Sequence, residues 1–478
     1  MTLQSVSGIS TPDFLKKFDG SGREPRPIQV EALNWTRDHW DKRFLVMQLP
    51  VGIGKSFIAR AIQLQTGAGI ITPTNALLDQ YAETYTSLNY LKGKDHYTCP
   101  KTKLSCGEMA DAGMCCGAAC KYKIAKQKAE DGVSTVFNPI SIFFSDAQPK
   151  VLIIDEAHKL IPTLRLLISR RFSKVKYSWP KTDSIDQLAK WVKEKAKDYE
   201  ALGVLYKSRN DLRKAAINFS KAKNLRGLAK TVAANPDDFI YYEDGDDLVV
   251  EPVEVPRSII EDVLGDATHI ILMSATIPKR WAKQILGSRP FEYLELDSPI
   301  PKEQRKIVFD PAGLKASSEP ATIAAWVKKH QEQYRGNTIL HTTYGMGSRL
   351  VPYFQGAHLH TSGTKSATFR AFKQNGGLWI AAGVAEGIDL AGDLARLCLV
   401  PCLPFQNRES PLVKAVMARD PKAYFLETAI TLVQQAGRTT RGPEDWSVTV
   451  VGDSRLPWLI KQVRYELPKY FIEAIEWG

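Results

Sequence analysis

The sequence predicts an α/β fold built on two successive parallel β-sheets. Short apolar runs alternate with segments of helical periodicity, and such runs are typical of strands that are buried on both faces. The runs of the first series are 44–47, 69–72, 151–154 and 270–273, and a second series from about residue 301 has runs near 338–341, 378–382, 397–400 and 448–451. A chain of 478 residues suits two to four domains.

The first run leads into a loop with the pattern of a phosphate-binding site. Gly52, Gly54, Lys55 and Ser56 follow it and precede the helical segment FIARAIQL. Such a loop offers backbone N–H groups, a helix N-terminus, a lysine and a hydroxyl for Mg²⁺. Leu49 stands where the full pattern has a further glycine. The spacing predicts that this loop binds the phosphates of ATP.

The run at 151–154 ends in acidic residues that would complete such a site. Asp155 and Glu156 follow it directly, with His158 two residues later. One carboxylate can hold Mg²⁺ and the other can orient and deprotonate the attacking water. Upstream of the loop, Arg26 and Gln29 precede a helical segment. An amide there can bond an adenine edge, and a plain surface turn is the alternative.

Five of the seven cysteines fall in one short stretch: Cys99, Cys106, Cys115, Cys116 and Cys120. In a reducing compartment this clustering favours a metal site over disulfides. The irregular spacing fits a tetrahedral zinc ion and an iron–sulfur cubane about equally well. The lysines at 121, 123, 126 and 128 form either a phosphate-contacting face or a solvated one.

Several strands end in hydroxyl-bearing or charged residues. The hydroxyls are Thr72, Thr74, Thr342 and Thr343, which suit phosphate contacts to a nucleic acid, although Thr74 equally suits a helix N-cap. A glycine-rich loop carries Glu386, Gly387 and Asp389, and a helix near the C-terminus carries Gln434, Arg438 and Arg441. The second half has no phosphate loop, so its arginines are predicted to reach the ATP of the first.

Charge and hydropathy point to a polyanionic partner. The formal net charge is +12, with a pI of about 9.1. No apolar run approaches the roughly 20 residues of a membrane span, and the first residues lack the layout of a secretory signal. We therefore expect a cytoplasmic, nucleic-acid-associated protein with no membrane partner.

Taken together, the motifs resemble those of the XPD/DinG-type iron–sulfur helicases of superfamily 2. The matching segments, in order, are Arg26-Pro27-Ile28-Gln29, LPVGIGKS, ITPT, DEAH, MSAT, HTTYG, GVAEGIDL, QQAGRTTR and GDSR. The resemblance covers essentially the whole chain, and this order is far more specific than any one motif. The compact size would suit a phage or mobile-element helicase.

The resemblance implies a role for each of these residues. ATP and Mg²⁺ would be bound and hydrolysed with Lys55, Ser56, Asp155, Glu156, Gln434, Arg438 and Arg441, and Glu386, Gly387 and Asp389 would also contact the nucleotide. A [4Fe–4S] cluster would be held by Cys99, Cys106, Cys116 (or Cys115) and Cys120. The protein would move 5′→3′ along single-stranded DNA and unwind forked or tailed duplexes, working as a monomer. Thr72, Thr74, Thr342 and Thr343 would contact the strand.

The same resemblance divides the chain into two RecA-like motor domains with two insertions. The first motor domain would comprise 1–92, 132–160 and 236–295, the iron–sulfur domain 93–131, a helical Arch-like domain 161–235, and the second motor domain 296–478. A β-hairpin with its turn near Gly245 is expected in the third piece of the first motor domain. Two other functions stay open: a translocase of DNA or RNA that does not unwind, and a zinc-stabilised, ATP-gated binding module.

Overall fold

Two parallel β-sheets form the framework of the computed structural model. The model describes residues 12–16, 22, 24–100, 104–111, 117–143, 145–182, 184–360, 364–382, 390, 392–440, 442 and 444–477. Among these residues, no helix has both the length and the apolar character needed to cross a lipid bilayer.

The strands are β1 Phe44–Gln48, β2 Gly69–Ile71, β3 Asn89–Leu91, β4 Thr135–Phe137, β5 Val151–Asp155, β6 Arg170–Ser173, β7 Phe239–Asp244, β8 Asp247–Pro252, β9 His269–Ser274, β10 Glu292–Glu295, β11 Arg305–Phe309, β12 Thr338–Thr342, β13 His358–Leu359, β14 Leu378–Ala382, β15 Leu397–Val400, β16 Ser447–Val451 and β17 Ile475–Trp477. The helices are α1 Pro27–Asp38, α2 Lys55–Thr66, α3 Asn75–Thr84, α4 Cys106–Asp111, α5 Lys121–Glu130, α6 Pro139–Phe143, α7 Leu160–Ile168, α8 Ile185–Ser208, α9 Leu212–Ala234, α10 Arg257–Leu264, α11 Lys279–Leu286, α12 Pro320–Tyr334, α13 Tyr344–Leu350, α14 Lys365–Asn375, α15 Pro411–Arg419, α16 Pro421–Ala436, α17 Leu456–Val463 and α18 Lys469–Ile472.

The first sheet has seven parallel strands in the order β10-β1-β9-β5-β2-β4-β3. β9 lies between β1 and β5, with Gln48 in register with Ser274 and Met273 in register with Asp155. Because the carboxyl ends of parallel strands meet at one edge, the residues after these three strands lie next to one another. We call this sheet and its flanking helices the first lobe.

The second sheet also has seven parallel strands, in the order β13-β14-β12-β15-β16-β11-β17. It forms the second lobe, residues 305–477. The central strands of both sheets, such as β1 and β15, are buried along their whole length, as apolar strands with helices on both faces must be. The predicted α/β class with two parallel-sheet domains is confirmed.

A long helical hairpin projects from the first lobe. Its helices α8 and α9 pack against a small antiparallel sheet, β6-β8-β7. Phe172, Phe239, Leu248 and Val250 of that sheet share one buried cluster with Trp191 and its neighbours on the helices. The hairpin β7–β8 forms with its turn at Gly245, as predicted.

Two features of this region differ from the sequence analysis. Residues 170–173, expected to be helical, form strand β6 because they pair with β8. The hairpin β7–β8, assigned to the first motor domain, packs on α8 and α9 instead, since its apolar side chains face those helices. We therefore propose that the helical domain extends to about residue 252; the other domain limits stay predictions.

The cysteine-bearing segment lies between β3 and β4, at the edge of the first sheet. It contains α4 and α5, and α4 lies against α9 of the helical hairpin. The two insertions therefore touch each other through α4 and α9.

Candidate active site between the two lobes

The phosphate loop has a backbone that glycine alone adopts readily. Gly52 and Gly54 have φ of +84° and +82°, in the left-handed region, and α2 begins immediately afterwards at Lys55. An L-residue at either position would be strained. The loop thus brings the N-terminal N–H groups of α2 to the edge where β1, β9 and β5 end.

The side chains of Arg26 and Gln29 donate hydrogen bonds to carbonyl groups of this loop. Arg26 Nη1 donates to the carbonyl of Gly52 at 3.0 Å, and Gln29 Nε2 donates to the carbonyl of Ile53 at 2.7 Å. The other end of the Gln29 amide accepts from the backbone N–H of Arg26 at 2.8 Å. Gln29 is buried, so in this structure its amide shapes the phosphate loop, and adenine reading by either residue stays a prediction.

The two acidic residues stand beside Lys55. Asp155 is 4% exposed, and the hydroxyl of Tyr81 donates to its Oδ2 at 2.9 Å. Glu156 has φ of 48°, an unusual value for a non-glycine residue, which turns its side chain toward the loop. Its Oε1 lies 3.2 Å from Lys55 Nζ. The cleft therefore contains one carboxylate fixed by a tyrosine and one paired with the lysine.

The surroundings of Asp155 and Glu156 shift the pKa values of their carboxyl groups in opposite directions. Burial, and then the charge of Glu156, raise the pKa of Asp155 to about 6. Burial opposes the ionisation of Glu156 as well, but the Lys55 ammonium and, further away, the Arg438 guanidinium lower its pKa to about 2. Glu156 is therefore a carboxylate at neutral pH and has the charge state required of a base.

His158 connects the acidic strand end to both neighbouring elements. Gln434 of the second lobe donates from Nε2 to His158 Nε2 at 2.6 Å. An amide nitrogen only donates, so this ring nitrogen is the acceptor, and Nδ1 carries the proton and donates to Ser274 Oγ at 2.7 Å. Burial lowers the pKa of His158 to about 4, which agrees with a neutral ring. Gln434 also donates to Thr276 Oγ1 at 3.3 Å.

The residues that follow α16 also approach the first lobe. A Cβ on Gly437 would lie 2.9 Å from Cγ2 of Val51, so the backbone there comes against the phosphate loop. Arg438 follows, and its charge acts on Glu156. Arg441 lies outside the described residues, as do Glu386, Gly387 and Asp389. Gln434 and Arg438 thus reach the site of Lys55, Asp155, Glu156 and His158.

The threonines proposed to contact DNA have different exposures. Thr72 is fully buried, and its hydroxyl donates to the carbonyl of Thr74 at 3.3 Å. Thr74 and Thr343 cap α3 and α13, each accepting from a backbone N–H at 3.3 Å. Thr343 is exposed and Thr342 half-buried at the end of β12. DNA contact by these four residues stays a prediction.

Three of the cysteines share one small buried cluster. Cys99, Cys106 and Cys120 pack there with Met109, and the sulfurs of Cys106 and Cys120 are 3.4 Å apart. Within the part of the chain that the structure describes, no group of three or more His, Cys, Asp or Glu side chains is arranged to hold a metal ion. Cys115 and Cys116 lie outside that part.

Sequence reasoning missed two residues of this site. Tyr81 orients Asp155, but its spacing from Leu78 on α3 is that of an ordinary core position, so no local signal marks it. Val51 packs against the backbone of Gly437 where the two lobes meet. A valine inside a loop gives no sequence pattern that would predict such a contact.

Comparison with known families agrees with this geometry. Residues 323–474 match the family described as helicase C-terminal domain, and residues 23–193 match the res subunit of type III restriction enzymes. A probable ATP-dependent helicase of Methanocaldococcus jannaschii is 26% identical over 266 residues, and the ATP-dependent DNA helicase YoaA of Escherichia coli is 27% identical over 190 residues. These matches support the resemblance to XPD/DinG-type helicases of superfamily 2.

Two solved structures match this fold over nearly the whole chain. An XPD helicase superposes with a TM-score of 0.65 at 14% identity, covering 95% of this chain and 100% of the other. Xpd4 of S. tokodaii gives 0.58 at 16% identity, with coverage of 95% and 100%. The curated relatives are longer: the aligned parts are 48% and 36% of this chain but 41% and 30% of the M. jannaschii and E. coli proteins.

Replacing Gly54 by Ala should weaken nucleotide binding by this protein at least about tenfold. The new Cβ would lie 2.7 Å from Gln29 Nε2 and 2.8 Å from the Phe57 ring, so the loop would have to shift. Gly132→Ala is the matched control, because Gly132 has φ of +81° and no atom within 4 Å of its Cβ position. Calorimetric titration with a non-hydrolysable ATP analogue measures both affinities; wild-type affinity in Gly54→Ala would contradict the assignment.

Proposed function

We propose that this protein hydrolyses MgATP in the cleft between its lobes. It would use the cycle to move 5′→3′ along single-stranded DNA and to unwind forked or tailed duplexes. The observation that carries the proposal is the contact between Gln434 of the second lobe and His158 of the first. It joins the nucleotide site of one lobe to the other lobe, as a motor requires.

In the proposed reaction, Lys55 and the N–H groups at the start of α2 hold the phosphates. ATP binding would transfer the Lys55 ammonium from Glu156 to a phosphate oxygen. Glu156 would then be released to take a proton from the attacking water. Ser56 and Asp155 would hold Mg²⁺, which neutralises the charge on the phosphates when it is bound. Arg438 or Arg441 would stabilise the charge of the transition state from the second lobe.

The strand would be held by different contacts before and after hydrolysis. Hydroxyls at the strand ends of both lobes, together with basic side chains, suit sugar–phosphate contacts that read no bases. The net charge of +12 supports a polyanionic partner. Opening and closing of the cleft would move the two sets of contacts relative to each other, with the protein acting as a monomer.

The cysteine segment fits a metal centre by its donor chemistry. Cys99, Cys106 and Cys120 are buried together and would supply three thiolates, with Cys116 or Cys115 as the fourth. By the family resemblance this centre is a [4Fe–4S] cluster that orders the segment at the duplex junction. Zinc is the second candidate, because bonds of about 2.3 Å in a tetrahedron set sulfurs roughly 3.8 Å apart, near the 3.4 Å of Cys106 and Cys120.

Single-stranded DNA should stimulate ATP hydrolysis, and the protein should displace the strand of a 5′-tailed duplex in preference to a 3′-tailed one.

Lys55→Ala should reduce hydrolysis at least about a hundredfold while DNA binding persists, since it removes a phosphate contact. Lys42→Ala, a surface lysine paired with Asp41 just before β1, should behave as wild type.

The same assays separate the alternatives. Stimulated hydrolysis without strand displacement on DNA or RNA would indicate a translocase that does not unwind. Binding of ATP without DNA-stimulated turnover would contradict a motor and favour an ATP-gated binding module.

Cys120→Ser should lose the metal, because the hydroxyl is a poor substitute for a thiolate ligand. Cys402→Ser is the control, since Cys402 lies in the second lobe outside the cluster. Metal and acid-labile sulfide analysis of oxygen-free preparations gives the result: iron with sulfide identifies the cluster, and zinc identifies the alternative. Unchanged metal content in Cys120→Ser would remove this residue from the ligand set.

A further inference from the structure

The C-terminal helix α18 belongs to the second lobe but contacts the first. The backbone N–H of Lys469 donates to Glu295 Oε1 at 3.0 Å, at the end of β10. The hydroxyl of Tyr470 lies 3.4 Å from the carbonyl oxygen of Ala275, just after β9. These contacts are separate from the one that Gln434 of α16 makes with His158.

The Tyr470 contact falls within the turn that serves the nucleotide site. Ala275 lies between Ser274, which accepts from His158, and Thr276, which accepts from Gln434. Tyr470 is 8% exposed, and burial raises the pKa of its hydroxyl, which therefore remains protonated and can donate. The backbone between two residues of the network thus receives a hydrogen bond from the second lobe.

Arg305 fixes helix α18 to the connection between the lobes. Its Nη1 donates to the carbonyl of Tyr470, and its Nη2 pairs with Glu473 at 2.5 Å. Its Nε donates to the carbonyl of Ile300 at 2.8 Å. One guanidinium therefore ties the connecting segment and the C-terminal helix together, which limits how α18 can move relative to the cleft.

An apolar seam continues from Tyr470 to the phosphate loop. A small cavity there is lined on one side by Val51 of the loop and on the other by Val433, Gly437 and Phe471 of the second lobe. Tyr470 also lines it. Removing the ring would open this seam, whereas removing only the hydroxyl would leave the packing unchanged.

We propose that Tyr470 is a positioning residue that holds the second lobe closed on the Ser274–Thr276 turn during ATP hydrolysis. The inference rests on the proposed ATPase function. Closure places Gln434 and Arg438 at the nucleotide, so it governs the hydrolytic step. In the proposed reaction the phosphates are held by Lys55 and the start of α2, both in the first lobe, so ATP affinity should not depend on Tyr470.

Tyr470→Phe tests this directly, with Tyr465→Phe as the matched control because Tyr465 is 98% exposed in the same C-terminal segment. In Tyr470→Phe we expect kcat for ATP hydrolysis to fall about tenfold with KM for ATP within about twofold of wild type, since a buried carbonyl loses its donor. Tyr465→Phe should keep both constants. Glu295→Ala removes the carboxylate that accepts from the backbone N–H of Lys469 in α18. It should likewise lower kcat and leave KM for ATP close to the wild-type value.

Wild-type kcat in Tyr470→Phe would overturn the inference, as would a rise in KM with kcat unchanged or an equal loss in Tyr465→Phe. Thermal unfolding of each variant checks the fold, and a kcat loss that merely tracks a loss of folded protein would also overturn it. If the wild-type protein hydrolyses no ATP, the proposed function fails too; if it does and Tyr470→Phe is equally active, this inference alone fails.

Discussion

The hydrogen bond from the Gln434 amide to His158 is the contact on which the arrangement of the nucleotide site depends. It fixes Nε2 of the ring as the hydrogen-bond acceptor, so Nδ1 carries the proton and donates to Ser274 Oγ. Burial keeps the ring neutral, so the bond is not lost to protonation near neutral pH. One amide from the second lobe thus sets the hydrogen bonds around the acidic strand end of the first.

This contact is possible because the order and register of the strands place the loops that follow β1, β9 and β5 side by side. β9 lies between β1 and β5, so the phosphate loop, the acidic pair and the Ser274–Thr276 turn share one edge of the first sheet. Glycine then permits close approach: Gly54 lets Gln29 support the loop, and Gly437 lets the second lobe reach Val51.

Local sequence was enough for the central strands of each sheet, such as β1, β5, β12 and β15, and for the residues that follow them, because an apolar run and the chemistry at its end are both encoded in consecutive residues. The structure brings two residues from such strand ends together, since Lys55 Nζ lies 3.2 Å from Glu156 Oε1. Contacts between distant segments were not readable: Tyr81 resembles a core residue of α3, and β6 has no apolar run and exists because β8 pairs with it. For Gln29 the sequence allows an adenine contact or a plain surface turn. The bond from its amide to the carbonyl of Ile53 depends on packing between distant segments and could not be predicted.

A double-mutant cycle on His158 and Gln434 tests the central claim most directly. ATP turnover is measured for wild type, His158→Ala, Gln434→Ala and the double variant. If the two side chains act through their mutual hydrogen bond, the double variant should lose about as much activity as the more damaged single variant. Losses that multiply, as for independent residues, would contradict the account.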